Sequence, residues 1–125
     1  PLARSVGVTP AVVNTSSGAS EHLLIAQANL SQAIDELRKA DAWTVGLDES
    51  GETYTPAQAS RLQGGLALVV GAEGEGIRPI VRSKCDFLLR LPMRGKIESL
   101  NAAAAGSIVL YLAALAREKS NITEN

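Results

Sequence analysis

Two segments of the sequence combine residue types and spacing suited to ligand chemistry. The first, residues 71–76 (Gly-Ala-Glu-Gly-Glu-Gly), directly follows an unbroken apolar run at 66–70. Its glycine spacing does not match the dinucleotide fingerprint, and no Lys-Ser or Lys-Thr pair follows as in a P-loop. Because the two glutamates would repel phosphate, the segment favours close backbone approach to an uncharged or cationic ligand. The alternative is a tight turn that uses glycine for a positive φ.

The second segment, residues 91–101, begins where a predicted strand stops at a proline and ends at the start of a long helix. Arg94 and Lys96 make its loop basic, which suits contact with a polyanion. Ser99 is either a polar site residue or a plain helix N-cap. Asn101 needs hydrogen-bond partners, because an unpaired amide at the start of a buried, alanine-rich helix is costly.

The predicted elements around these segments form an α/β fold, a mostly parallel sheet flanked by helices. A loop with turn residues Ser50-Gly51 and Pro56 is predicted between the second and third strands. The last helix is apolar on most of its circumference, so we expect it to pack against both the sheet and a partner subunit. We predict one domain over residues 1–119 and a frayed polar tail over 120–125. The strands are predicted at 23–26, 43–47, 66–70 and 87–91, and the helices at about 9–15, 30–40, 77–81 and 100–117.

Composition limits the function classes. The 125 residues are 46% hydrophobic with a net charge of -1, which suits one globular domain with a real core. There is no apolar run of transmembrane length and no signal-peptide pattern, so a cytoplasmic protein is predicted. A single cysteine excludes an internal disulfide or a multi-cysteine metal site, and no metal is expected. We interpret Cys85 and the lone His22 as structural. Residues 77–96 carry six bases against one acid, which indicates either a polyanion-binding surface or a solvated face.

Taken together, residues 68–76, 91–93 and 99–101 resemble the second and third motifs of the SpoU branch of the SPOUT RNA methyltransferases. Residues 14–22 are similar to the Ser-x-Gly-Ala-x-Glu segment that lies between the family's first and second motifs. The character is that of the bacterial enzymes that methylate guanosine 2'-hydroxyls of 23S ribosomal RNA. The resemblance covers nearly the whole chain.

This resemblance implies a fold with a C-terminal trefoil knot, an exception to the rule against threaded chains. It also implies a homodimer that binds S-adenosylmethionine (AdoMet) in the knot and acts on RNA. The residues that match family positions are Gly71, Leu91 and Leu100 for the cofactor, with Met93 close by, and Glu73, Ser99 and Asn101 for catalysis. We further expect Arg94 and Lys96 of the basic loop to contact RNA phosphate.

The family's first motif supplies an asparagine and an arginine that activates the ribose 2'-hydroxyl. In the family these residues precede the segment that begins here at Arg4-Ser5, and Arg4 does not match the motif. We therefore expect the chain to behave as a fragment that binds cofactor but transfers little or no methyl by itself. Two alternatives stay open: a tRNA guanosine-2'-O-methyltransferase with the same motifs, and an inert cofactor-binding or dimerisation module.

Overall fold

Three parallel strands form the centre of the molecule. The computed structural model describes residues 23–72, 74–92 and 101–124. Strand β1 (Trp43–Thr53) lies between β2 (Leu66–Val70) and β3 (Phe87–Arg90), and it is parallel to both. Neighbouring strands that run parallel must be joined by crossover connections. The parallel sheet predicted from the apolar runs is confirmed.

Within the described ranges, three helices and one 3-10 segment connect and cover the strands. Helix α1 spans Leu30–Lys39, the 3-10 segment spans Pro56–Leu62, α2 spans Pro79–Lys84, and α3 spans Ala102–Glu124. Asn29 caps α1, because its side-chain oxygen accepts the Gln32 N–H at 3.1 Å. No helix in the described part of the chain is both long and apolar enough to cross a bilayer.

Each face of the sheet has its own apolar core. Successive strand residues point to opposite faces, so Leu66 and Leu68 pack on one side while Val69 packs on the other. The first core joins the sheet and the 3-10 segment to α3, and the second joins the sheet to α1 and α2. The buried residues of the first core are Val45, Leu62, Leu89, Val109, Ala113 and Ala116, and those of the second are Ile34, Ile77 and Val81.

The predicted loop at Ser50-Gly51 is instead part of β1. The register of β1 on β3 shifts between Leu47 and Glu52, both of which pair with Leu89, so residues 48–51 form an irregular bulge. A Cβ at Gly51 would lie 2.6 Å from the Leu88 carbonyl carbon and from the Leu89 nitrogen. This glycine therefore allows two backbones to approach closely, and it does not mark a turn.

Two further predictions are wrong. Residues 24–29 have no regular structure, and Leu23, Leu24 and Ile25 are exposed. An apolar run alone does not make a strand, and this run has no partner strand among the described residues. The polar tail is not frayed through its length, because α3 continues to Glu124. The predicted helix at 9–15 lies outside the described residues.

Candidate functional site

A cleft of about 630 Å³ lies at the carboxyl ends of β2 and β3, where the bulge of β1 begins. Ligands of open α/β sheets gather at this edge, and the volume suits a small molecule. The bulge of β1, the glycine-rich loop after β2, the end of β3 and the start of α3 form the walls of the cleft. Its lining residues are Leu47, Asp48, Glu49, Ser50, Val70, Gly71, Ala72, Gly74, Glu75, Gly76, Arg82, Leu89, Arg90, Leu91, Asn101, Ala102 and Ala105.

The glycine-rich loop turns back on itself directly after β2. The Ala72 carbonyl accepts the Gly76 N–H at 2.9 Å, and these two residues form an antiparallel bridge. A Cβ on Gly71 would lie 2.1 Å from the Gly76 carbonyl carbon, so no side chain fits there. Gly74 and Gly76 have φ values of 81° and 71°, which favour glycine. The segment thus forms the tight turn, and the same turn lines the cleft, whereas its contact with a ligand stays a prediction.

The bulge of β1 contributes a carboxylate that the sequence did not point to. Asp48 is 12% exposed at its side chain and accepts the Ser50 N–H at 3.1 Å. The Ser50 hydroxyl also donates to it, and the Arg82 guanidinium lies 3.8 Å away. Donation from the Ser50 hydroxyl, helped by the Ser50 amide, Arg82 and the Ile77 amide, outweighs burial and lowers the pKa of Asp48 below the usual aspartate value. Asp48 is therefore ionised at neutral pH.

A structural signal could have identified Asp48. The register pairs Leu47 with Val70, so the next residue on each strand brings Asp48 to the level of Gly71. The sequence pattern alone indicated a loop here and assigned no role to Asp48.

Asn101 lies at the start of α3 and caps it. Its side-chain oxygen accepts the N–H groups of Ala103 at 2.8 Å and Ala104 at 3.2 Å, and its carbonyl accepts the Ala105 N–H. The residue is exposed, so the expectation of a buried amide was wrong, although the expectation of hydrogen-bond partners was right. Because the helix begins at Ala102, Asn101 takes the N-cap position that the sequence suggested for Ser99.

The end of β3 places Leu91 at the cleft, half-buried against the first core. The neighbouring Arg90 donates from its guanidinium to the Thr53 hydroxyl at 2.5 Å. Together with Arg82, it sets two cations against the acids of the lining, which include Glu49 and Glu75. The cleft therefore offers both signs of charge around exposed backbone.

Six of the predicted site residues lie outside the described residues: Glu73, Met93, Arg94, Lys96, Ser99 and Leu100. Leu91 and Asn101, which stand close to the two ends of segment 93–100, both line the cleft. Gly71, the remaining predicted site residue, lines it too.

Cys85, which was interpreted as structural, does not contribute to the cleft lining. Cys85 is half-buried and donates weakly to the Val81 carbonyl at 3.5 Å. Burial, with a further contribution from Asp86, raises the pKa of this thiol, so Cys85 is not an activated nucleophile. His22 lies outside the described residues.

Comparison with known sequences identifies a family and several relatives. The model of the SpoU rRNA Methylase family matches residues 2–111. A protein of Xylella fastidiosa named 23S rRNA (guanosine-2'-O-)-methyltransferase RlmB is 44% identical over 112 residues, which are 89% of this chain and 44% of the relative. A putative TrmH family tRNA/rRNA methyltransferase, YacO of Bacillus subtilis, is 40% identical over the same shares. The chain thus spans less than half the length of these relatives.

Solved structures agree in fold. The SpoU methyltransferase AviRb of Streptomyces viridochromogenes, in complex with AdoMet, matches 90% of this chain with a TM-score of 0.72 and 29% identity. The match covers 45% of the AviRb chain. A TrmH/SpoU tRNA modifying enzyme of A. aeolicus matches 98% of this chain and 60% of its own, with a TM-score of 0.76. At 21% identity, the second likeness supports the fold alone.

Proposed function

Since the chain belongs to the SpoU rRNA methylase family, we propose that it is the cofactor-binding portion of an AdoMet-dependent RNA methyltransferase. The reaction is methyl transfer to a guanosine ribose 2'-hydroxyl of 23S ribosomal RNA, and RlmB relatives at 44% identity support this substrate. The observation that carries the proposal is the cleft at the strand ends, lined by Gly71, Leu91 and Asn101 from both motif segments.

The residues present fit AdoMet. Gly71, Gly74 and Gly76 present backbone at the cleft lining, and a sulfonium cation is compatible with the nearby carboxylates of Asp48 and Glu75. Gly71, Leu91 and Leu100 would hold the cofactor, largely through backbone groups, with Met93 close by. The trefoil knot stays a prediction, because residues 93–100 lie outside the described part of the chain.

The proposed chemistry needs positioning and a proton acceptor. When bound, AdoMet supplies an electrophilic methyl group, while the ribose 2'-oxygen is weakly acidic and must be deprotonated and aligned. We assign Asn101 and Ser99 to positioning the ribose or the family's activating arginine, and Glu73 to orienting that arginine by a charge-assisted bond. The carboxamide oxygen of Asn101 is held by α3, which fixes the direction of its Nδ2 group.

RNA is the proposed partner on the outer side of the cleft. Arg94 and Lys96 are assigned to RNA phosphate, and Arg82 and Arg90 add positive charge at the cleft lining. A bacterial ribosomal RNA substrate is met in the cytoplasm, which is where we propose that the protein acts.

A homodimer is proposed from the outer face of α3. The helix buries Val109, Ala113 and Ala116 against the sheet, yet Leu110 is 58% exposed and Tyr111 is 66% exposed. A contiguous apolar face of this kind marks an interaction surface. Sedimentation velocity is expected to show a dimer that Tyr111→Asp dissociates. A wild-type monomer at every concentration would contradict the proposal.

Calorimetric titration with AdoMet tests the proposed function first. We expect saturable binding to the purified chain, because the cleft is formed by its own residues. Transfer to 23S ribosomal RNA is expected only from a longer form that also carries the family's first motif. If the folded chain does not bind AdoMet, the cofactor assignment is refuted. Binding without transfer by the longer form would favour the inert module.

The choice of RNA needs a second experiment. Primer extension on RNA incubated with the longer form locates a 2'-O-methyl group directly. A stop at one guanosine of 23S ribosomal RNA supports the proposal. A stop on transfer RNA alone supports the alternative, a tRNA guanosine-2'-O-methyltransferase, which the name of YacO as a putative tRNA/rRNA methyltransferase also accommodates.

A further inference from the structure

Asp48 occupies an unusual position for an ionised side chain. It lies at the carboxyl end of the straight part of β1, where the bulge of residues 48–51 begins. Its side chain is only 12% exposed, although it lines the cleft. A carboxylate with so little access to water needs compensation from hydrogen bonds or opposite charge, and the contacts around Asp48 provide both.

The contacts of Asp48 come from three separate segments. Within its own bulge, Ser50 donates to Oδ2 from its amide at 3.1 Å and from its hydroxyl. From α2, the Arg82 guanidinium lies 3.8 Å from the same oxygen. From the end of the glycine-rich loop, the Ile77 amide contributes to the lowered pKa of the Asp48 carboxyl. The bulge of β1, the glycine-rich loop and α2 thus meet at the Asp48 carboxylate.

The glycine-rich loop sits directly against this carboxylate. A Cβ on Gly76 would lie 3.6 Å from Asp48 Oδ1, so the left-handed turn at Gly76 packs beside the carboxylate oxygen. The same turn approaches Gly71, where a Cβ would overlap the Gly76 carbonyl. Any shift of the Gly76–Ile77 peptide therefore changes the shape of the loop at the cleft.

We infer that Asp48 is a positioning residue that holds the glycine-rich loop in the shape that receives the cofactor. It acts through the Gly76–Ile77 backbone and Arg82. This inference rests on the proposed function, because the ligand of the loop is taken to be AdoMet. Asp48 has no place among the residues that the family motifs supplied, since those belong to the segments after β2 and β3.

Asp48→Asn tests the inference with almost no change in side-chain volume. The variant loses the charge that faces Arg82 and turns an amide group toward the donors of Ser50 and Ile77. We expect the Kd for AdoMet to rise about tenfold, measured by calorimetry. We also expect amide hydrogen exchange of Gly74, Glu75, Gly76 and Ile77 to accelerate about tenfold in the absence of cofactor, with exchange in β1 and β2 unchanged.

Glu49→Gln is the matched control. Glu49 is exposed and lines the same cleft, so this variant removes the same charge without touching the loop. Its Kd and its loop exchange are expected to stay at wild-type values. An equal loss of affinity in both variants would overturn the inference, because it would mean that Asp48 acts only by attracting a cationic ligand.

The outcomes separate this inference from the proposed function. Failure of the wild-type chain to bind AdoMet refutes the proposed function, while loop exchange in Asp48→Asn still measures whether Asp48 holds the loop. Tight binding by wild type and by Asp48→Asn alike overturns the inference alone, as does unchanged loop exchange. Should Asp48→Asn fail to fold, Ser50→Ala removes one donor and is expected to shift both readouts in the same direction by about threefold.

Discussion

Gly71→Ala is expected to abolish measurable AdoMet binding, raising the Kd by on the order of 100-fold or more. The added Cβ would lie 2.1 Å from the Gly76 carbonyl carbon, 2.3 Å from its oxygen and 2.5 Å from the Ile77 nitrogen. All three are backbone atoms, so no side-chain rotation relieves the overlap and the loop itself must move. Because Asp48 lies beside the loop and also contacts Arg82 of α2, this movement also disturbs the packing of α2.

Gly65→Ala is the control for that substitution. It adds the same methyl group in the turn before β2, where the nearest heavy atoms would be Ala42 Cα at 3.7 Å and the Asp41 carbonyl oxygen at 3.8 Å. These are ordinary contacts, so binding and thermal stability should match wild type. Calorimetry and thermal unfolding are the measurements, and an unchanged Kd in Gly71→Ala would refute the loop's role.

Gly74→Ala keeps the prediction testable if Gly71→Ala does not fold. A Cβ at Gly74 meets no atom within 4 Å, so the only penalty is the φ of 81°, which costs a non-glycine residue about 1–2 kcal/mol. A folded protein with moderately weaker AdoMet binding is the expected result. Wild-type affinity in this variant together with Gly71→Ala would show that the loop does not contact the cofactor.

The sequence predicted β2 and β3 well because each strand is a short and nearly unbroken apolar run. Leu66–Val70 and Phe87–Arg90 appear within a residue of their predicted bounds. The second half of β1 was missed because Asp48–Thr53 is polar and carries no hydrophobic pattern. Its strand conformation comes from pairing with β3 after the bulge, a tertiary contact that local pattern does not encode.

The sequence predicted only those site residues that lie in a segment with its own signal. Gly71, Leu91 and Asn101 were identified because each lies in a segment with its own signal, and the structure brings all three to one cleft. Asp48 has no such signal. Its contacts join residues up to 34 positions apart, so they exist only once β1 and β2 are in register and α2 is packed. The role of a residue of this kind follows from the fold.

Asn101 raises a different problem, because two functions are proposed for its one side-chain amide. Its oxygen caps α3 through Ala103 and Ala104, and the catalytic proposal needs its Nδ2 group. Loss of activity in Asn101→Ala would therefore be ambiguous, since losing an N-cap alone costs about 1 kcal/mol. Variants that keep the cap while removing the amide nitrogen resolve the ambiguity.

Asn101→Asp and Asn101→Ser are expected to keep the thermal stability of wild type and to lower kcat by on the order of 100-fold. Both residues are good N-caps, and aspartate also suits the positive end of the helix dipole. Neither carries an amide nitrogen. The measurement is methyl transfer to RNA by a form of the protein that includes the family's first motif, alongside thermal unfolding and AdoMet titration.

Comparison of the three variants assigns the amide. Asn101→Ala should lose both stability and turnover, whereas the serine variant should lose turnover alone and bind AdoMet within about threefold of wild type. Normal turnover in Asn101→Ser would mean that the oxygen's capping role is sufficient, and that Asn101 does not take part in the chemistry. Because serine adds no charge to the cleft, its result decides between the two roles even if the aspartate variant also repels or attracts the ligand.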